Sequence, residues 1–309
     1  MGADPPLRHN PCVPFLQVHL TLDGLDPDEA EAACFAAGAL AVTLADAGDA
    51  PILEPQPGAT PLWPSVALSA LYDAATPPES VAAVLRRALR RPQLELRVET
   101  VADRVWEREW LRDFGPMRFG RRLWVCPGGM EPPAAATAAD APVIVRLDPG
   151  LAFGTGTHAT TALCLEWLDG ARLDGERILD VGTGSGILAI AALALGAAHV
   201  HAQDIDPQAL IAARDNAARN AIGAALEVAP AAAPWGAGYG VVLANILAEP
   251  LIALAPAIAA ATRTAGVVVL SGLLLEQAGA VAAAYAPWFD MDVPRPRDGW
   301  VLLVGRRRP

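Results

Sequence analysis

The feature that constrains this chain most is a short glycine run, Asp180-Val-Gly182-Thr-Gly184-Ser-Gly186, set between a strand-like apolar stretch and a helix-like one. Glycines let the chain turn tightly and let a ligand come close to the backbone. The helix that follows offers N–H groups with no intrahelical partner. The dinucleotide fingerprint G-x-G-x-x-G is not met, because position 187 is Ile and the third glycine arrives one residue early. A nicotinamide dehydrogenase is disfavoured on that ground.

The surroundings of the run set the fold class. VIVRL begins at residue 143, and a Gly/Thr-rich loop and a helix near 159–168 follow it. Strands are predicted at 178–182, 199–205, 224–229, 241–245 and 266–271. Helices are predicted at 187–195, 207–220, 249–263 and 274–286. Strands alternating with helices imply a mostly parallel sheet covered on both faces. FDMDV, a turn and WVLLVGR then read as an antiparallel hairpin appended to that sheet.

The first hundred residues have a different rhythm. Residues 15–22, 39–44, 65–72 and 94–101 read as strands, and 27–37 and 77–91 as helices. The order strand, helix, strand, strand, helix, strand is the ferredoxin-like α+β pattern. Between the two regions lie Trp106, Trp110, Phe114, Met117, Phe119 and Trp124, interleaved with arginines 104, 108, 112, 118, 121 and 122. This stretch reads as a connector whose aromatics pack onto both neighbours, with a substrate-contacting surface as the alternative. EPPAAATAADAP (131–142) is low-complexity and reads as a loop. The predicted boundaries are 13–102, 103–142 and 143–309.

Composition narrows the chemistry. The net charge is -11, and all 23 basic residues among 309 are arginine. With no lysine, a catalytic Schiff base or a phosphate-binding lysine is excluded. An acidic chain is also a poor nucleic-acid binder. Cys12, Cys34, Cys126 and Cys164 lie far apart with no C-x-x-C pair, which argues against a zinc ribbon or redox dithiol and suits a reducing compartment. The first residues show no signal-peptide or myristoylation pattern, and there is no run of about 18 strongly apolar residues. The expectation is a soluble, cytoplasmic protein, monomeric, with no bound metal.

Four places carry candidate chemistry. Asp204 ends the strand after the glycine run, 22 residues beyond Gly182, where a carboxylate can accept from both hydroxyls of a ribose. Asp206 precedes Pro207 and reads as a helix cap. Asn245 ends a later strand in VVLANILAEP; its amide can both donate and accept, and ligands of open α/β sheets bind beyond the carboxyl ends of strands. Leu147-Asp-Pro-Gly-Leu-Ala-Phe-Gly-Thr-Gly-Thr-His-Ala-Thr-Thr161 is the most distinctive run. Thr160 and Thr161 stand where they can cap a helix and present hydroxyls to a zwitterionic ligand. His158 reads as a local hydrogen-bonding residue.

DPGLAFGTGTHATT, ILDVGTGSGILAIAA, QDIDPQAL, DNAARN and VVLANILAEP, with LEPQPGATPLW, WEREW and FGPMRFGRRLWVCP upstream, resemble the PrmA family of bacterial ribosomal-protein methyltransferases. The resemblance spans nearly everything from residue 15. It implies a ferredoxin-like substrate-recognition domain, a linker and a class I (Rossmann-like) methyltransferase domain. It also implies S-adenosyl-L-methionine as methyl donor, with S-adenosyl-L-homocysteine as product. The family's substrate is a basic protein of the large ribosomal subunit, methylated on lysine ε-amines and the N-terminal α-amine. Thr161, Gly182, Asp204 and Asn245 fall on the family's cofactor-contacting positions, with Phe153 and Gly184 beside them. Thr183 departs from a frequent cysteine at a position whose side chain the turn does not need.

The implied reaction is displacement of a sulfonium methyl by an amine, for which alignment and desolvation suffice without a strong base. Asn245 is assigned to orienting the nucleophile or the cofactor. Glu249 reads as a helix-start carboxylate, with capture of an incoming ammonium as the other option. Residues 1–72 hold nine acids against one arginine, a face suited to a basic partner. Methylation of another protein's lysines, or cofactor binding without catalysis, are the alternatives.

Overall fold

The computed structural model describes residues 15–48, 62–101, 115–133, 141–147, 154 and 156–309. The chain divides into two compact units, residues 1–109 and 110–309.

In the first unit, strand β1 (Phe15–Thr21) alternates strictly, burying Leu16, Val18 and Leu20. It pairs antiparallel with β3 (Val66–Asp73), whose Val66, Leu68, Ala70 and Tyr72 fill the same face. Helix α1 (Pro27–Ala36) starts at Asp26, whose carboxylate accepts from the amides of Asp28 and Glu29, and Pro27 presets its first turn. Helix α2 (Pro78–Ala88) turns Val81 and Leu85 inward. With β2 (Ala41–Asp46) and β4 (Arg97–Val101) the sheet order is β2-β3-β1-β4, antiparallel throughout. That is the pairing the predicted strand–helix order requires. β2 begins two residues later than predicted, because the Ala39 amide donates back to the Cys34 carbonyl and closes the turn after α1.

The second unit opens with a small sheet of β5 (Met117–Phe119), β6 (Leu123–Cys126) and β7 (Val143–Arg146). Part of the stretch predicted as connector is therefore strand, and Phe119, Leu123 and Val125 enter the second unit's core. Strands of three and four residues are too short for periodicity to reveal. Trp106, Trp110 and Phe114 lie outside the described residues.

The main sheet uses β8 (Arg177–Val181), β9 (His199–Asp204), β10 (Leu226–Pro230), β11 (Tyr239–Asn245), β12 (Thr262–Leu274), β13 (Phe289–Met291), β14 (Arg295–Arg297) and β15 (Trp300–Arg307). The order is β10-β9-β8-β11-β12-β15-β13, with β14 added on β15. Helices α3 (Ala159–Gly170), α4 (Ile187–Ala194), α5 (Pro207–Arg219), α6 (Ala248–Ala261) and α7 (Ala278–Tyr285) complete it. Successive strand residues serve different cores. Ile178, Val200, Val241 and Leu243 pack with α3 and α4, while Leu179, Val181, Val242 and Ala244 pack with α6. Both faces are dry, so the strands read as continuous apolar runs. The final hairpin is appended at the edge of this sheet, as predicted. β15 inserts between β12 and β13 and is antiparallel to both.

Asp169 joins the small sheet to α3. This nearly buried carboxylate accepts from the amides of Arg121, Arg122 and Leu123, in the turn between β5 and β6. Gly120 lies against it with φ +70, and a Cβ there would stand 2.4 Å from its Oδ2.

Candidate active site

Strand order reverses between β8 and β11, which run parallel side by side with Val181 opposite Ala244. The crossovers on either side leave in opposite directions, so a crevice opens beyond the carboxyl ends of these two strands. A cavity of about 590 Å³ lies there, bordered by Thr161, Gly182, Gly184, Asp204, Asn245 and Trp300 among others.

The glycine run forms its floor. Gly182 has φ +74, and a Cβ would stand 2.2 Å from Ile246 Cγ2, so no other residue fits without rearrangement. The amides of Gly182 and Thr183 both donate to the Gln203 carbonyl, at 2.8 and 2.9 Å. Ser185 Oγ donates to the Gly154 carbonyl at 2.5 Å, tying the run to the threonine–glycine loop. From the other side the Asn216 amide donates to the Ser185 carbonyl at 2.9 Å. Asn220, one turn along α5, bonds both the N–H and the C=O of Arg146. Neither asparagine was assigned a role from sequence. Their i, i+4 spacing in DNAARN, which puts both on one helical face, is the signal that finds them.

Asp204 is half-buried at the end of β9. Its Oδ2 accepts from the Gly184 amide at 2.8 Å and its Oδ1 from the Asp206 amide at 3.0 Å. Each carboxylate oxygen keeps a free lone pair, so two ligand hydroxyls can still be held. Asp206 caps α5 as predicted, accepting from the Gln208 amide.

Asn245 and Thr161 meet although 84 residues separate them in sequence: Asn245 Nδ2 donates to Thr161 Oγ1 at 3.3 Å. Thr160 and Thr161 are buried in the first turn of α3 and do not cap it. His158 is the cap, its Nδ1 accepting from the Thr160 amide, because its backbone is still extended where the helix begins. Its ring meets Trp300 edge-on, with centroids 4.7 Å apart and planes 70° apart. Trp300, at the start of β15, is a cavity residue that no local pattern announced. Phe153, predicted to contact the cofactor, lies outside the described residues.

Beneath the floor, Asp180 is 1% exposed and accepts from the Thr183 hydroxyl at 2.7 Å. Burial pushes its carboxyl up from 3.8 to about 6. The Thr183 hydroxyl pulls the other way, the charge of Asp204 adds to the rise, and the Ala189 main chain also opposes it.

The residues present fit an S-adenosylmethionine-sized ligand. Asp204 offers acceptors for a ribose, while Ile205, Trp235 and Leu254 offer apolar wall for a purine. Thr161 and Asn245 offer polar groups for an amino-acid end. Among the described residues no group of histidine, cysteine and carboxylate side chains is arranged to hold a metal.

Sheet order, glycine floor and an acid at the end of the next strand together define a class I, S-adenosylmethionine-dependent methyltransferase. Comparison with known proteins narrows this further. The model of the ribosomal protein L11 methyltransferase (PrmA) family matches residues 14–308, and the chain belongs to that family. A ribosomal protein L11 methyltransferase of Pseudomonas aeruginosa is 50% identical over 297 residues, covering 96% of this chain and 99% of the relative. One from Hahella chejuensis is 48% identical over 298 residues, with the same shares covered. The crystal structure of a ribosomal protein L11 methylase from Lactobacillus delbrueckii subsp. bulgaricus superposes with a TM-score of 0.55 at 33% identity. It covers 63% of this chain and 100% of that one.

Proposed function

We propose that this chain methylates ribosomal protein L11, on lysine ε-amines and on the N-terminal α-amine. The observation that carries the reading is the convergence of Asp204, Thr161 and Asn245 on one cavity at the strand reversal. The names of the relatives supply the substrate. Gly182, Gly184 and Asp204 hold the nucleoside, and Thr161 and Asn245 the amino-acid end. Bound there, S-adenosylmethionine supplies a methyl group already activated by its sulfonium.

The chain's own residues prepare the amine. A lysine amine has a reference pKa of about 10.4 and is mostly protonated at neutral pH. Walls of Ile187, Leu188, Ile246, Leu247 and Trp300 disfavour the cation and favour the nucleophilic free base. Asn245 commits its N–H to Thr161, which leaves Oδ1 to accept from an amine N–H and set its direction.

Residues 13–102 choose the substrate in this reading, helped by the charge of -8 over residues 1–72, and residues 143–309 carry the chemistry. The protein works as a monomer in the cytoplasm, where its substrate is made. Among the described residues no helix is long and apolar enough to cross a membrane.

The test is incubation of the chain with methyl-labelled S-adenosylmethionine and a ribosomal protein extract, followed by mapping of the labelled amines. Label in L11 at lysines and the N-terminus is expected. Label confined to another protein, or absent, would overturn the proposal. A chain lacking residues 1–100 should still bind the cofactor and no longer label L11.

A further inference from the structure

The cavity wall includes a segment with little regular structure, residues 231–238, that joins β10 to β11 and contributes Ala231 and Trp235. Its two ends are held by main-chain bonds. The Ala231 amide donates to the Asp204 carbonyl, and the Gly238 amide donates to the Ala261 carbonyl, both at 2.9 Å. Between those anchors the segment contains two glycines with positive φ, Gly236 and Gly238, and no ladder fixes its carbonyls. Side chains do so instead. The Gln203 amide on β9 donates to the Ala233 carbonyl at 2.9 Å. The Tyr239 hydroxyl on β11 donates to the Trp235 carbonyl. The Arg177 guanidinium on β8 donates to the Ala237 carbonyl at 3.4 Å.

Three adjacent strands thus pin carbonyls 233, 235 and 237 of one segment. The pins also support each other. Tyr239 is 2% exposed, which fixes its hydroxyl, and the exposed Arg177 guanidinium rests 5.1 Å from the centre of the Tyr239 ring. Gln203 is 1% exposed, and its own carbonyl receives the Gly182 and Thr183 amides. One residue therefore fastens the glycine floor with its main chain and the opposite wall with its side chain.

We propose that Gln203, Tyr239 and Arg177 are positioning residues for the cofactor, acting through residues 231–238 to hold Trp235 and Ala231 against the nucleoside. The inference rests on the cofactor reading of the cavity. Tyr239 and Arg177 do not border the cavity, so any effect of changing them on cofactor affinity passes through the segment.

The experiment compares the full chain with Tyr239→Phe and Arg177→Leu, measuring binding of S-adenosylhomocysteine by calorimetry and kinetics with L11. Each variant should weaken cofactor binding by about five- to tenfold, the effect of one lost hydrogen bond. KM for the methyl donor should rise in step, while kcat at saturation and KM for L11 stay within twofold. Amide exchange should quicken in residues 232–237 and nowhere else in the main sheet. Tyr239→Phe deletes one oxygen and keeps the buried ring, so the chain should fold. Wild-type affinity in both variants, or a loss of kcat with unchanged affinity, would overturn the proposal. A wild-type chain that binds no S-adenosylhomocysteine would instead bring down the cofactor reading, and this inference with it.

Discussion

Asp180→Asn should make the protein more stable above neutral pH. The wild-type carboxyl is buried under the glycine floor with its pKa raised to about 6, while in the unfolded chain it ionises near 4. Between those values the native state holds a proton that the unfolded state has released. Stability therefore falls as pH rises through roughly 4 to 6, and stays lower above that window. A rise from 3.8 to about 6 corresponds to a cost of about 3 kcal/mol on ionisation, taken as a ceiling. Asparagine has the same shape, keeps an oxygen for the Thr183 hydroxyl at 2.7 Å and carries no charge. The assay is a series of thermal melts of the full chain and the variant from pH 4.5 to 8 at constant ionic strength. Each kcal/mol corresponds to about 2–4 °C for a unit of this size, so a gap of about 6–12 °C should open by pH 7.5 and close towards pH 4.5. Other carboxylates titrate too, but apart from Asp204, whose charge Asp180 feels, they do so equally in both proteins, so the difference reports Asp180 together with that coupling. A gap that does not change with pH, or a variant less stable at pH 7.5, would refute the reasoning.

Three further outcomes follow from the same geometry. Asp204→Asn exchanges a carboxylate oxygen for a donor beside the amides of Gly184 and Asp206 and loses charge-assisted acceptance, costing about 1.5–3 kcal/mol. Calorimetric titration should show S-adenosylhomocysteine bound about 10- to 100-fold more weakly, and a change under threefold would count against the ribose assignment. Gly182→Ala places a methyl 2.2 Å from Ile246 Cγ2 at φ +74, so cofactor binding should fall by more than about tenfold. Restoration of binding by Ile246→Ala in the same chain would confirm the clash, and undisturbed binding by Gly182→Ala alone would exclude it. Asp169→Ala strands three amides in the turn between β5 and β6, and should lower stability by about 3 kcal/mol in denaturant unfolding. A wild-type midpoint would show that water replaces the carboxylate.

Local signals were sufficient for much of this protein. The α/β class followed from the alternation of strands and helices after residue 143. The floor of the site followed from three glycines in seven residues, and Asp206 as a cap from its place before Pro207. Such features are legible because backbone conformation and the first turn of a helix depend on near neighbours in the chain. The short strands β5 and β6 were not legible, since each has at most four residues and most of the core they join, from Ala162 onwards, lies about 40 or more residues away.

By itself the sequence determined which residues have the chemistry to bind a nucleoside and an amino-acid group: Asp204, Thr161, Asn245 and the glycine run. Only the tertiary structure decided that Asn245 bonds Thr161 across 84 residues, that His158 rather than a threonine caps α3, and that Trp300 borders the cavity. It alone showed the three donors that hold residues 231–238. The physical reason is that all of these depend on strand order. Which side chains share the crevice beyond β8 and β11 is set by parallel pairing between distant segments, and nothing in the spacing of residues along one strand records which strand lies beside it.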